Sequence, residues 1–134
     1  MIVADTCVLI HLFNQTALTS QAELLLQKDP FWMVPHLWQE EYANVISKLA
    51  RKEDRPTAEV LGHYNYVRDE LKEFERIVDS AEALRFALTH KISVYDAHFV
   101  VLALELDIWV VTEDAEILKK CPKQAITMKD FCHA

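Results

Sequence analysis

Ile2-Val3-Ala4-Asp5-Thr6-Cys7-Val8-Leu9-Ile10 is the stretch from which the fold can be read. Three apolar, strand-favouring residues run into a carboxylate, a hydroxyl follows, and the apolar residues after it take helical spacing. This predicts a buried strand that delivers Asp5 to the point where strand gives way to helix. In open α/β sheets the carboxyl ends of parallel strands are where ligands bind. The rest of the sequence decides whether other acids arrive at the same edge.

Working outward, residues 6–13 read as a helix, and Leu18, Ala22, Leu25 and Leu26 space a second one that stops near Asp29-Pro30. Phe31–Val34 reads as a short buried strand ended by Pro35. Residues 36–51 read as a helix with the stripe Trp38, Tyr42, Val45 and Leu49, followed by a charged turn to Pro56 and a long amphipathic helix over 57–74. Ile77-Val78 is expected to be a brief strand, with Ser80 capping a helix over 81–90. Residues 95–106 form an almost wholly apolar helix that must be buried. Ile108–Val111 is a further strand, 114–120 a short helix, Ala125–Thr127 a last strand, and the tail is helical. Strands alternating with helices imply parallel pairing in a three-layer α/β sandwich, expected as a single domain over residues 1–134.

Bulk composition agrees. With 51% hydrophobic residues in 134, the chain can bury a real core, and a single Gly favours helices over hairpins. No signal peptide or membrane span is evident. Cys7, Cys121 and Cys132 are odd in number and lack a C-x-x-C pair, so free thiols in a reducing cytoplasm are expected. The formal charge of −7 argues by itself against a nucleic-acid partner. Carboxylates awaiting divalent cations would account for part of that excess.

Four acids stand out. Asp5 and Asp114 each follow an apolar strand and accompany a hydroxyl (Thr6, Thr112); alone, each reads as a helix N-cap. Glu41 lies about 60° from the centre of its helix's apolar stripe, whereas Glu40 points nearly opposite. Asn44 and Lys48 share Glu41's flank, which alone reads as a solvated face. Asp96 fits a Ser93-x-x-Asp96 capping box, yet it opens a helix buried almost all round, and no Lys or Arg lies between Lys91 and Lys119 to neutralise it. Four close carboxylates repel by roughly 4 kcal/mol per pair at an effective dielectric of about 20. Oxygen-only ligands suit Mg²⁺ or Mn²⁺, and the scattered histidines do not suggest zinc. Metals held by acids at a sheet edge point to phosphodiester hydrolysis.

At these residues the chain resembles the PIN-domain ribonucleases, and more narrowly the VapC-like toxins of type II toxin–antitoxin pairs. Val3-Ala4-Asp5-Thr6 is similar to the family's opening strand, and Pro35-His36-Leu37-Trp38-Gln39-Glu40-Glu41-Tyr42-Ala43-Asn44 to its P-x-L-x-x-x-E-x-x-N helix. Tyr95-Asp96-Ala97 and Val110-Val111-Thr112-Glu113-Asp114 complete the set. The resemblance covers essentially the whole chain. It implies a five-stranded parallel sheet in an α/β/α sandwich and an acidic quartet of Asp5, Glu41, Asp96 and Asp114 holding Mg²⁺ or Mn²⁺. Thr112 and Thr6 would orient the acids or a water, with Asn44 in support. It also implies a homodimer, an RNA substrate and a cognate antitoxin. Two departures are Asp107, where the family often has Gly, and Cys7, which reads as a small buried filler.

Lys48, Arg51, Lys52 and Arg55 are available for RNA-backbone contacts, although such charges are more often solvated helix faces. Three other readings compete. A phospho-acceptor signalling domain would use Asp79, Thr112 and Lys129, but leaves Glu41, Asp96 and Asp114 without a role. A PIN fold retained only for binding nucleic acid is another. DNA in place of RNA is the third, since no residue identifies a 2′-hydroxyl contact.

Overall fold

The computed structural model describes residues 1–134. Ile2–Ala4 forms β1, Trp32–Pro35 β2, Glu75–Arg76 β3, Val110–Val111 β4 and Ala125–Ile126 β5. All pair in parallel, in the order β3-β2-β1-β4-β5. The helices are α1 (Thr6–Phe13), α2 (Thr19–Lys28), α3 (Trp38–Glu53), α4 (Thr57–Leu71), α5 (Ser80–His90), α6 (Val94–Leu106), α7 (Ala115–Lys120) and α8 (Met128–His133). They flank the sheet in the expected three-layer α/β arrangement. No helix is long and apolar enough to cross a membrane.

β1 occupies the middle of the sheet because its side chains can be buried on both faces: Ile2, Val3 and Ala4 are fully enclosed. Helix α6 packs on β1, β2 and β4, which explains why its sequence shows no polar stripe; Phe99, Val100, Leu102 and Ala103 all lie in the core. Ser93 caps it as expected, its hydroxyl accepting from Asp96 N–H at 3.0 Å.

The structure departs from the sequence reading in several places. β3 is Glu75–Arg76 and not Ile77-Val78; Ile77 is 89% exposed. An edge strand needs hydrogen bonds to one neighbour only, and here two polar residues pair with Val34 and Pro35. Pro35 belongs to β2 instead of ending it, and α3 starts later and runs further than 36–51. The side chains that α3 buries are Trp38, Tyr42 and Ile46, with Val45 and Leu49 at the margin. Asp79, not Ser80, caps α5: its Oδ1 accepts from Ala81 N–H at 3.2 Å. The chain's single glycine lies inside α4, so three helices end on non-glycine residues in the left-handed region, Asp54, Lys91 and Asp107. Asp107 has φ 53° and so adopts the conformation a glycine would favour at that turn.

Candidate functional site

The register of β1 and β4 builds the site. Ala4 pairs with Val111, so the next residues, Asp5 and Thr112, leave the sheet side by side. Asp5 N–H donates to the Val111 carbonyl at 3.1 Å, and the Thr112 hydroxyl donates to Asp5 Oδ2 at 2.6 Å. Asp5 also caps α1, its Oδ1 accepting from Thr6 N–H at 2.8 Å, and the Cys7 thiol donates to Oδ2 at 3.6 Å. Asp5 is 7% exposed and Thr112 fully buried. Burial raises the Asp5 carboxyl above the usual aspartate range; the bonds from Thr112, Thr6 and Cys7 oppose the rise, and the charge of Asp114 adds to it.

The other acids arrive from separate elements. Glu41, in the first turn of α3, accepts from the Thr6 hydroxyl on Oε1 at 2.8 Å. Burial, with the charges of Asp5 and Asp96, pushes its carboxyl to about 7 against the help of Thr6. Asp96, in the first turn of α6, is pushed to about 6, by burial first and then by Asp5, Asp114 and Glu116, with Ser93 opposing. Asp114 caps α7, its Oδ1 accepting from Glu116 N–H at 2.9 Å and Ile117 N–H at 3.0 Å. Its own N–H donates to Thr112 Oγ1 at 3.0 Å, which completes a chain from Asp114 through Thr112 to Asp5.

All four acids therefore reach the carboxyl edge of the sheet, and each lies in the field of at least one other. None takes part in any of the chain's five ion pairs. An uncompensated set of carboxylate oxygens beside two hydroxyls fits Mg²⁺ or Mn²⁺ by donor chemistry. The quartet is looser than the sequence suggested: no three His, Cys, Asp or Glu side chains stand close enough to hold a metal ion. The cause is local, because Asp5 and Asp114 cap their own helices and Glu41 rests on Thr6.

Helices α1 and α3 flank a groove of about 330 Å³ that opens on this edge. Asp5, Thr6, Cys7 and Glu41 line its inner end; Ile10, His11, Asn44 and Val45 line the outer end. Asp96 and Asp114 lie outside this lining. The proposed backbone contacts Lys48, Arg51 and Lys52 are exposed further along α3, and Arg55 is paired with Glu53 at 2.6 Å. None of these four lines the groove.

Three residues near the acids had no role in the sequence reading. Cys7, which by sequence reads as a filler, touches Asp5 and lies 3.8 Å from Thr112 Oγ1. Burial and the Asp5 charge push its thiol to about 12, which keeps it a neutral neighbour. His11 lies one turn beyond Cys7 on the same helix face, a spacing that could have drawn notice. Glu116 acts on Asp96 but is paired with Lys120 at 2.6 Å, and its i,i+4 spacing in sequence reads as an ordinary surface pair. The phospho-acceptor reading does not survive the topology: β3 and β5 are opposite edges of the sheet, so Asp79 and Lys129 are kept apart.

The model of the PIN domain family matches residues 2–123. No curated protein sequence matches the chain. Among solved structures, a protein from Pyrobaculum aerophilum has a TM-score of 0.74 at 21% identity, over 98% of this chain and 92% of that one. A toxin–antitoxin complex from Klebsiella pneumoniae gives 0.68 at 18% identity, over 96% and 98%. At such identities these two likenesses establish the fold alone.

Proposed function

The chain belongs to the PIN domain family, and from that premise we propose that it is a metal-dependent endoribonuclease, the toxin of a toxin–antitoxin pair. The observation that supports this reading is the arrival of four carboxylates at one edge of the sheet, each in the field of another and none paired with a cationic side chain. Asp5, Glu41, Asp96 and Asp114 are the residues that would hold Mg²⁺ or Mn²⁺. When bound, the cation supplies Lewis acidity, easing proton loss from an attacking water and offsetting charge that develops on the phosphate.

The protein's own part is positioning. Thr112 gives Asp5 Oδ2 a short bond that fixes its plane, and Thr6 holds Glu41 Oε1 while leaving Oε2 free. Asp114 spends Oδ1 on its cap and keeps Oδ2 for the site. Asn44 supports from the next turn of α3, and Lys48, Arg51 and Lys52 on that helix, with Arg55 just past its end, follow the substrate backbone. The toxin part of the proposal takes support from the Klebsiella complex, whose matching chain this one spans almost entirely. It implies a cognate antitoxin, a homodimer and a cytoplasmic setting.

The test is cleavage of single-stranded RNA with Mn²⁺, with EDTA, and by Asp96→Asn. Removing the charge of Asp96 is expected to lower the rate by at least about a hundredfold, the scale of a lost transition-state contact. The fold should survive, because Asp96 keeps its helix through its backbone bond to Ser93. Equal cleavage by EDTA-treated and Mn²⁺-loaded protein would overturn the reading.

A further inference from the structure

The outer end of the α1–α3 groove has a chemistry different from its inner end. Beyond the carboxylates come two apolar walls, Ile10 and Val45, and two uncharged polar groups, the His11 imidazole and the Asn44 amide. The groove's volume of about 330 Å³ lies at the lower end of small-molecule sites, roughly 300–1,000 Å³. A folded protein segment does not fit there; a single planar base does.

His11 is held in place. Thr16 Oγ1 stands 2.7 Å from its Nδ1 and 3.4 Å from Thr19 Oγ1. The Thr19 hydroxyl spends its proton on the His11 or Asn14 carbonyl, at 2.8 and 2.9 Å. Nδ1 is the nearest acceptor for the Thr16 hydroxyl, and with that donation the ring proton sits on Nε2. Burial lowers this imidazole below the usual histidine range, with the charge of Glu113 opposing. His11 Nε2 has no partner within the chain, and neither does the side-chain amide of Asn44. The groove lining holds no Lys or Arg to pair with a second phosphate, so its outer end suits an uncharged group.

We propose that the outer end of this groove receives the unstacked base of the nucleotide next to the scissile phosphate. His11 Nε2–H and the Asn44 amide read its edge, and Ile10 and Val45 enclose its faces. With its proton on Nε2, His11 favours a base presenting a carbonyl oxygen there, such as uracil or guanine and also cytosine through O2, over adenine, which has none. The inference rests on the nuclease reading and names the specificity element of that site.

The test uses a parent oligonucleotide with a mapped cut, varied at the adjoining position to uracil, guanine, adenine or an abasic linker. Wild type is expected to process the uracil or guanine form roughly tenfold better in kcat/KM than the abasic form, mostly through KM, the scale of one seated base. His11→Ala should erase the preference, and His11→Gln, which keeps an N–H donor, should restore part of it. In parallel, the same oligonucleotides are titrated into Asp96→Asn while the His11 ring and Asn44 amide resonances are followed. Shifts that vanish with the abasic form support the pocket. Unchanged preference in His11→Ala, or resonances that respond equally to base and linker, overturns it while leaving the nuclease intact. Base-dependent shifts in a protein that cleaves nothing retain the pocket and overturn the nuclease.

Discussion

Two turns of this molecule carry the same local instruction. At Ala4-Asp5-Thr6 and at Val78-Asp79-Ser80, an aspartate precedes a helix and caps it, its Oδ1 accepting a backbone N–H at 2.8 Å in one case and 3.2 Å in the other. Asp79 is exposed and does nothing further. Asp5 is buried, bonded to Thr112, and in the fields of Glu41, Asp96 and Asp114. The difference comes from the sheet: β1 lies between β2 and β4, whereas β3 is an edge with one neighbour. A cap is a local property of a few residues. A site needs elements from both sides, and only the central turn has them.

The sharpest way to break this comparison is to neutralise each aspartate. Asp5→Asn should lower RNA cleavage by about a hundredfold or more in a protein that still folds, since the amide oxygen can still accept from Thr6 and the loss of one buried charge offsets the lost bond from Thr112. The same rate in Asp5→Asn and wild type would mean that the two turns are equivalent and that the central acid is only a cap.

The next effect concerns pH and metal together. Burial and mutual repulsion raise the carboxyls of Glu41 to about 7 and Asp96 to about 6 in the folded state, above the ordinary values of 4.5 and 3.8. Between those limits the folded chain holds more protons than the unfolded one, so the stability these groups contribute is present at low pH and is lost as pH rises through about 6 and 7. Metal-free protein should therefore melt at a lower temperature at pH 8 than at pH 5. Mn²⁺ should reverse this at pH 8, where the acids are ionised, by about 2.7 kcal/mol at a hundredfold excess over Kd. At pH 5 it should do little. A melting temperature rising from pH 5 to pH 8 without metal would contradict the buried, repelling quartet.

Much of this was legible in the sequence, and the reasons are physical. The apolar run Ile2–Ala4 and the all-round apolar α6 announce central elements, because only a position covered on both faces tolerates them. Asp5, Asp114 and Asp96 were visible because strand ends and helix caps fix where such residues point. The Ala4–Val111 register, which puts Thr112 on Asp5, is a long-range fact that no local pattern encodes. β3 was misplaced for a related reason, since edge pairing depends on β2's backbone and not on its own side chains. His11 escaped because its meaning arises only when α1 and α3 come together, and Glu116 because its pairing with Lys120 imitates a surface contact.

The smallest effect isolates capping from everything else. Asp79→Ala removes the acceptor for Ala81 N–H at the start of α5 and should cost about 1 kcal/mol of stability. It should leave the cleavage rate unchanged, because β3 stands two strands from β1 and Asp79 touches no member of the quartet. Urea unfolding would read the first quantity and initial rates on RNA the second. Asp79→Ser, which restores an N-cap oxygen without a charge, should recover most of the stability. If Asp79→Ala instead lowered the cleavage rate while Asp79→Ser failed to restore it, the charge of the edge turn would be acting on the site. Position in the sheet would then no longer be what separates a cap from a ligand.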